Sequence, residues 1–220
     1  MATGLSIIFD LDGTLLDTLG DIADTANAVL DHFGFPQHSL DSYRHYVGDG
    51  LRMLMQRCLP IGVDEALHSE SCRLFLEIYQ KHWYLHCRPY PGIVEMLHRL
   101  AACDAKMAVL SNKPHEFTVQ FVHRFLPGGI FSFIYGQRPG IARKPDPAVA
   151  LTIADHFRVF PQLVYFVGDT PIDIRTGKAA AMKTVAVTWG FRPSYELEME
   201  SPDLLINHPC QLEQYVISSQ

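Results

Sequence analysis

Leu5-Ser6-Ile7-Ile8-Phe9-Asp10-Leu11-Asp12-Gly13-Thr14-Leu15 is an apolar run that stops abruptly at two aspartates and a glycine. A run of this length reads as a buried strand over Leu5 to Phe9, with the glycine marking the turn that ends it. In extended chain the side chains of Asp10 and Asp12 point to the same side. The turn at Gly13 must therefore bend the backbone if the two carboxylates are to take different places.

Working outward from that strand, Ile22, Ala26, Val29, Leu30 and Phe33 recur at helical spacing, and Gly34 and Pro36 supply the stop. The pattern stays helical from Asp41 to His86. Leu51, Leu54, Met55 and Cys58 form one stripe, and Leu67, Leu74, Phe75, Ile78 and Tyr79 another after the break at Gly62. No strand-like run interrupts this block. After Pro89-Tyr90-Pro91-Gly92 the character changes, and Pro91 is expected in the first turn of a helix running to about Ala102. Strands are then expected at Met107 to Leu110, Phe131 to Tyr135, Leu163 to Val167, Thr184 to Val187 and Leu204 to Ile206. Helices are expected between them at Glu116 to Phe125, Pro147 to Phe157 and Ile172 to Ala181, with a final helix closing the chain. Continuous apolar strands alternating with helices indicate a mostly parallel sheet covered on both faces. The fold class is α/β: a parallel Rossmann-like sheet core formed by 1–16 and 87–220, with an inserted all-helical cap domain over 17–86.

Composition narrows the partners. The chain has 220 residues, 48% of them hydrophobic and 19% charged, which suits a globular protein with a sizeable core. Its formal net charge of −6 argues against nucleic acid, which requires clustered Lys and Arg. A small anionic substrate fits if positive charge is gathered in one cleft. Met1 to Ser6 lacks the pattern of a signal peptide, and no stretch is long and apolar enough to span a membrane. Neither the five cysteines nor the eleven histidines show metal-ligand spacing. The expected setting is cytoplasmic, without membrane partners, as a monomer or homodimer.

In sheets of this kind ligands bind beyond the carboxyl ends of the strands. Those ends carry Asp10, Asp12 and Thr14; then Ser111, Asn112 and Lys113; then Lys144 in Arg143-Lys144-Pro145-Asp146-Pro147; then Gly168, Asp169, Thr170 and Asp173. Carboxylates alone would repel a phosphate dianion, so they make sense around a hard cation such as Mg2+, which takes oxygen ligands. Hydrolysis of phosphate monoesters is very slow uncatalysed, and its acceleration calls for charge neutralisation, positioning and an activated nucleophile. A carboxylate nucleophile divides the reaction into two easier steps, with a second carboxylate serving as acid and then base.

Taken singly these residues have plainer uses. Asp favours turns and helix caps, Ser111 could cap a helix, Lys144 could be a solvated lysine and Asp173 an exposed helical carboxylate. Gly48 and Gly50 could simply make a tight turn, and Arg52 could lie over apolar neighbours instead of meeting a substrate carboxylate. Trp83 and Trp189 read as packing.

Together, Asp10-Leu11-Asp12-Gly13-Thr14-Leu15, Ser111, Lys144 before Pro145, and Gly168-Asp169-Thr170 with Asp173 resemble, in order, the four motifs of haloacid dehalogenase-type phosphatases. The resemblance covers nearly the whole chain. It implies that Asp10 is the nucleophile and a metal ligand and Asp12 the general acid/base. It further implies a Mg2+ site completed by the Asp12 carbonyl and the Asp169 side chain. Ser111, Thr14 and the backbone near Leu11 and Asn112 would hold the substrate, Lys144 would balance charge, and Asp173 would orient Lys144 or a metal-bound water. Tyr46-Val47-Gly48-Asp49-Gly50 with Leu51 and Leu54 resembles the cap motif of the phosphoglycolate phosphatase subgroup, placing Gly48 and Gly50 at the substrate. The implied partner is a small phosphorylated metabolite, with 2-phosphoglycolate first. A nucleotide, a sugar phosphate and pyrophosphate stay open, as does a catalytically idle protein that binds phosphometabolites. Asp12 departs from the hydrolytic dehalogenases, Ile22 and Gly168-Asp169 from the mutases. The absence of a lysine in 17–86 other than Lys81 departs from the phosphonatases.

Overall fold

The structure, a computed structural model, describes residues 4–218. The leader reading of Met1 to Ser6 therefore lies largely outside the described residues, as do the extreme ends of the expected core. The first strand is β1 (Ser6–Phe9), buried throughout. A two-residue β2 (Leu16–Asp17) leads into four helices, α1 (Leu19–His32), α2 (Leu40–Tyr46), α3 (Leu51–Cys58) and α4 (Glu65–His82). The chain returns through β3 (Arg88–Pro89), which pairs antiparallel with β2, Leu16 opposite Pro89 and Asp17 opposite Arg88. This short ribbon marks both ends of the helical block. Asp21 reinforces it, since its carboxylate accepts from the backbone N–H groups of His86 and Cys87 at 2.9 and 2.8 Å.

Alternation then follows: α5 (Ile93–Ala102), β4 (Lys106–Pro114), α6 (His115–Phe125), β5 (Phe131–Gln137), α7 (Ala148–Phe157), β6 (Val164–Gly168), α8 (Pro171–Ala179), β7 (Lys183–Val187), α9 (Ser194–Met199), β8 (Leu204–Ile206) and α10 (Pro209–Ser218). Six strands form one sheet in the order β5-β4-β1-β6-β7-β8. Every pairing in it is parallel. The α/β class expected from the sequence is the one observed.

Two apolar layers flank the sheet. Ile7, Phe9, Val109, Tyr165 and Val167 pack with the helical block, α5 and α6 in one core. Ile8, Ala108, Leu110 and Phe166 face the other way, onto Ala150, Ile153, Ala154 and Phe157 of α7. Each large side chain buried in this way contributes about 1.5–3 kcal/mol. Alternate residues of β1 thus serve opposite cores, which is why the strand reads as continuous apolar sequence rather than as alternation.

Three details differ from the sequence reading. Pro91 lies outside α5: Gly92, at φ 84°, is the N-cap, and its left-handed backbone keeps the preceding proline out of the first turn. The second core strand runs on past Leu110 to Pro114, with register shifts against β5 that carry Ser111, Asn112 and Lys113 along the strand end. Helix α9 and the β2/β3 ribbon were not foreseen, being too short to show periodicity.

Candidate active site

Register gathers the site. Phe9 lies opposite both Val109 and Val167, so Asp10, Ser111 and Asp169 emerge at the same edge of the sheet. The Asp10 N–H donates to the Val167 carbonyl at 2.9 Å, holding the chain in strand geometry up to the first aspartate. Beyond it Gly13 adopts φ 87°, and the two carboxylates part. Asp10 meets Lys144, whereas Asp12 meets Lys113 and Thr18.

The lysine Lys144 is buried between two acids. Its Nζ stands 2.8 Å from Asp10 Oδ1 and 2.6 Å from Asp173 Oδ1. The Asn112 side chain holds the lysine's own backbone, accepting from Lys144 N at 2.9 Å and donating to Lys144 O at 3.1 Å. Asp173 is fixed in turn by α8, where Thr170 N and Oγ1 donate to its Oδ2 at 3.0 and 2.7 Å in a capping box. Asp169 accepts from Thr14 Oγ1 at 2.9 Å and from Phe191 N at 2.8 Å. Thr14 was expected at the substrate; its hydroxyl is spent on Asp169, and it does not border the cavity.

One carboxylate oxygen from each of Asp10, Asp169 and Asp173 lies within 4.8 Å of the other two, and all three residues are buried. Burial pushes Asp10 up to about 7, with Lys144 pulling it down and Asp173 adding to the rise. Burial, followed by the charges of Asp10 and Asp173, likewise holds Asp169 well above the usual carboxylate range. Lys144 stays firmly cationic: burial opposes its charge, and the two acids beside it outweigh that effect. One lysine therefore faces three crowded carboxylates, an excess of buried negative charge that a divalent cation would relieve. The donor set, all oxygen, fits such an ion. The chain also comes very close to Asp169: a Cβ on Gly13 would sit 2.2 Å from its Oδ2, and one on Gly190 2.3 Å from its Cβ.

A cavity of about 60 Å³ opens over Asp10 and Asp12. Ser111, Asn112 and Lys113 border it from the core, and Gly48 and Gly50 from the helical block, with Ile22, Leu51, Leu54 and Phe75 supplying apolar walls. Gly48 and Gly50 have φ of 124° and 83°, so the loop between α2 and α3 takes a course that glycine allows. Asp49 between them turns to Arg57, and Arg143 donates to its carbonyl at 2.9 Å. Arg52 pairs with Glu65 at the surface and does not border the cavity.

The family described as haloacid dehalogenase-like hydrolase matches residues 7–187. The chain belongs to the haloacid dehalogenase-like hydrolases. Among relatives, it is 34% identical over 206 residues to a Pseudomonas putida protein named phosphoglycolate phosphatase, covering 91% of this chain and 75% of that one. It is 30% identical over 221 residues to the phosphoglycolate phosphatase of Psychrobacter arcticus, covering 97% and 96%. A crystal structure from Haemophilus somnus 129pt, described as a predicted phosphoglycolate phosphatase, superposes with TM-score 0.90 at 27% identity, covering 98% of this chain and 99% of that one.

Within this haloacid dehalogenase-like hydrolase, sequence reasoning left some residues without a role. Lys113 stood among the strand-end residues, but nothing local said that its ammonium would reach Asp12. Thr18 and Tyr79, its neighbours in that network, carry no motif; only the fold brings them there. Arg192, which donates to the carbonyls of His45 and Val47 at 2.9 and 3.4 Å, likewise joins the C-terminal third to the helical block unannounced.

Proposed function

We propose that the protein hydrolyses a small phosphomonoester through a phosphoaspartate formed on Asp10, with 2-phosphoglycolate as the substrate. The observation that carries the reading is that Asp10, which borders the cavity, is paired with the buried Lys144 and stands beside Asp169 and Asp173. The names of the relatives supply the choice of leaving group.

Asp10, Asp169 and the main-chain carbonyl of Asp12 would hold Mg2+, with Asp173 beside them holding Lys144. When bound, the ion supplies neutralising charge and Lewis-acid polarisation at the phosphoryl oxygens. The chain's own groups do the rest. Asp10 Oδ attacks phosphorus as the bond to the leaving oxygen breaks, and Asp12 gives that oxygen its proton. Water then attacks the phosphoaspartate while Asp12 takes one of its protons, and phosphate leaves with Asp10 restored. Lys144, fixed between Asp10 and Asp173, offers a positive charge to the phosphoryl group. Ser111 and the backbone amides at the strand ends orient its oxygens. Residues 17–86 act as a cap over a core formed by 1–16 and 87–220, excluding bulk water while the ester is bound.

A second reading has its own support. Ile22, Leu51, Leu54 and Phe75 make the cavity wall largely apolar, and among the described residues Lys113 is the one Lys or Arg that borders it. This lining favours a leaving group with an apolar body. Phosphate release from 2-phosphoglycolate and from sugar, nucleotide and alkyl phosphates, each with Mg2+ and with chelator, decides between the two. Mg2+-dependent release fastest from 2-phosphoglycolate supports the first reading, and fastest release from a bulkier ester replaces it with the second. No release from any ester by folded protein would sink both.

A further inference from the structure

Lys113 is a buried lysine to which the scheme above gives no role. Its side chain is 4% exposed, and its ammonium has three N–H donors to place. Asp12 takes one side of the ammonium, at 3.0 Å to Oδ1 and 3.2 Å to Oδ2, and Tyr79 Oη takes another at 2.8 Å. The rings of Phe121 and Tyr79 lie 4.4 and 5.0 Å from Nζ and line the charge with aromatic surface. On its other side Asp12 Oδ1 accepts from Thr18 Oγ1 at 2.7 Å. A carboxylate at the end of a strand is thus gripped by β4 and by the residue that caps α1. The gripping lysine is itself completed by a tyrosine of α4, in the helical block.

We propose that Lys113 is a positioning residue for Asp12, and that Tyr79 fixes Lys113 for this task. The proposal rests on the reading of Asp12 as proton donor and acceptor. In the first half-reaction Asp12 protonates the leaving oxygen as the Asp10–phosphorus bond forms. In the second it takes a proton from the water that displaces Asp10. Lys113 keeps its three protons throughout; it holds the carboxylate where both transfers reach.

The test compares leaving groups. p-Nitrophenolate leaves without a proton, so forming the phosphoenzyme from its ester needs no acid, whereas ethyl phosphate and 2-phosphoglycolate need one. Methionine fills most of the lysine's volume without the charge. In Lys113→Met with Mg2+, kcat/KM for both alkyl esters should fall about tenfold or more, part of the usual worth of general acid catalysis. For p-nitrophenyl phosphate kcat/KM should hold while kcat falls, because water attack still needs Asp12; KM then falls with kcat. Tyr79→Phe should shift the alkyl/aryl ratio the same way by a smaller factor, and it carries the test if Lys113→Met does not fold. An equal loss of kcat/KM on all three esters means mere structural damage and overturns the proposal. A loss confined to 2-phosphoglycolate makes Lys113 a substrate ligand and also overturns it. Asp12→Asn is measured alongside. If its alkyl/aryl ratio is unchanged, the reading of Asp12 fails and takes the proposal with it. If that ratio shifts while those of Lys113→Met and Tyr79→Phe do not, the proposal alone fails.

Discussion

The Asn112 side-chain amide donates to the Gly48 carbonyl at 3.0 Å, tying the end of β4 to the loop between α2 and α3. The same side chain clasps the Lys144 backbone through its N–H and its carbonyl. One residue thus ties the Gly48 border of the cavity to the backbone of the buried Lys144.

Asn112→Ala leaves the buried Lys144 N–H without its partner and frees the Gly48 loop. A buried donor stranded in this way costs about 1–3 kcal/mol, so denaturant unfolding should show a loss of that size. Turnover should fall further than stability alone explains, because Lys144 loses its fixed backbone. Unchanged unfolding and turnover would mean that the clasp is incidental.

Asp10→Asn removes the nucleophile while keeping its shape. Phosphate release should drop by about 10^4-fold or more, as when other covalent catalysts lose their nucleophile. Stability should move the other way. Burial raises Asp10 from 3.8 to about 7 in the folded protein, so the folded state holds a proton that the unfolded chain releases. With chelator present, wild type should therefore lose stability as pH rises from about 4 to about 7. The variant, with nothing to ionise at residue 10, should lose less over the same window. Parallel stability profiles for the two proteins would show that Asp10 is not strained by burial.

Much of this site was legible before any coordinates, for a physical reason. A parallel sheet places its ligand at the carboxyl ends of its strands, and β1, β4 and β6 each announce that end by an apolar run stopping at polar residues. Asp10, Ser111 and Asp169 follow from that alone. Lys113 and Tyr79 do not: their meeting depends on how α4 lies against β4 and α6, a packing outcome with no local signature. Thr14 is read as a substrate contact, and the fold turns its hydroxyl to Asp169, a pairing that nothing in the local sequence announces. The β2/β3 ribbon and α9 are too short for any periodicity to appear.

Gly190→Ala tests how tightly the backbone surrounds Asp169. Its Cβ would lie 2.4 Å from the Gly13 carbonyl as well as 2.3 Å from Asp169 Cβ, and both neighbours are held by the turn. Overpacking of this kind costs about 1–3 kcal/mol and should displace the carboxylate, lowering turnover beyond the loss of stability. Gly128→Ala, where a Cβ meets nothing within 4 Å, should be close to neutral in both thermal unfolding and turnover. Equal behaviour of the two variants would refute the close fit at Asp169.

Metal removal gives the sharpest check on the carboxylate cluster. Burial and like charge hold Asp169 in an unfavourable state that a bound divalent cation would reverse. An ion at a hundredfold excess over its dissociation constant adds about 2.7 kcal/mol of stability. For a protein of this size that corresponds to a rise of about 5–10 °C in Tm, to be read by calorimetry in Mg2+ against chelator. Asp169→Asn should lose most of that rise. The amide still fits the pocket, its oxygen accepting from Phe191 N and its nitrogen donating to Thr14 Oγ1, so the fold should survive the change. In chelator the variant should melt at or above the wild-type temperature, since one of three crowded buried carboxylates is gone. An equal Mg2+-induced rise in both proteins would place the ion away from Asp169 and remove the acidic cluster from the mechanism.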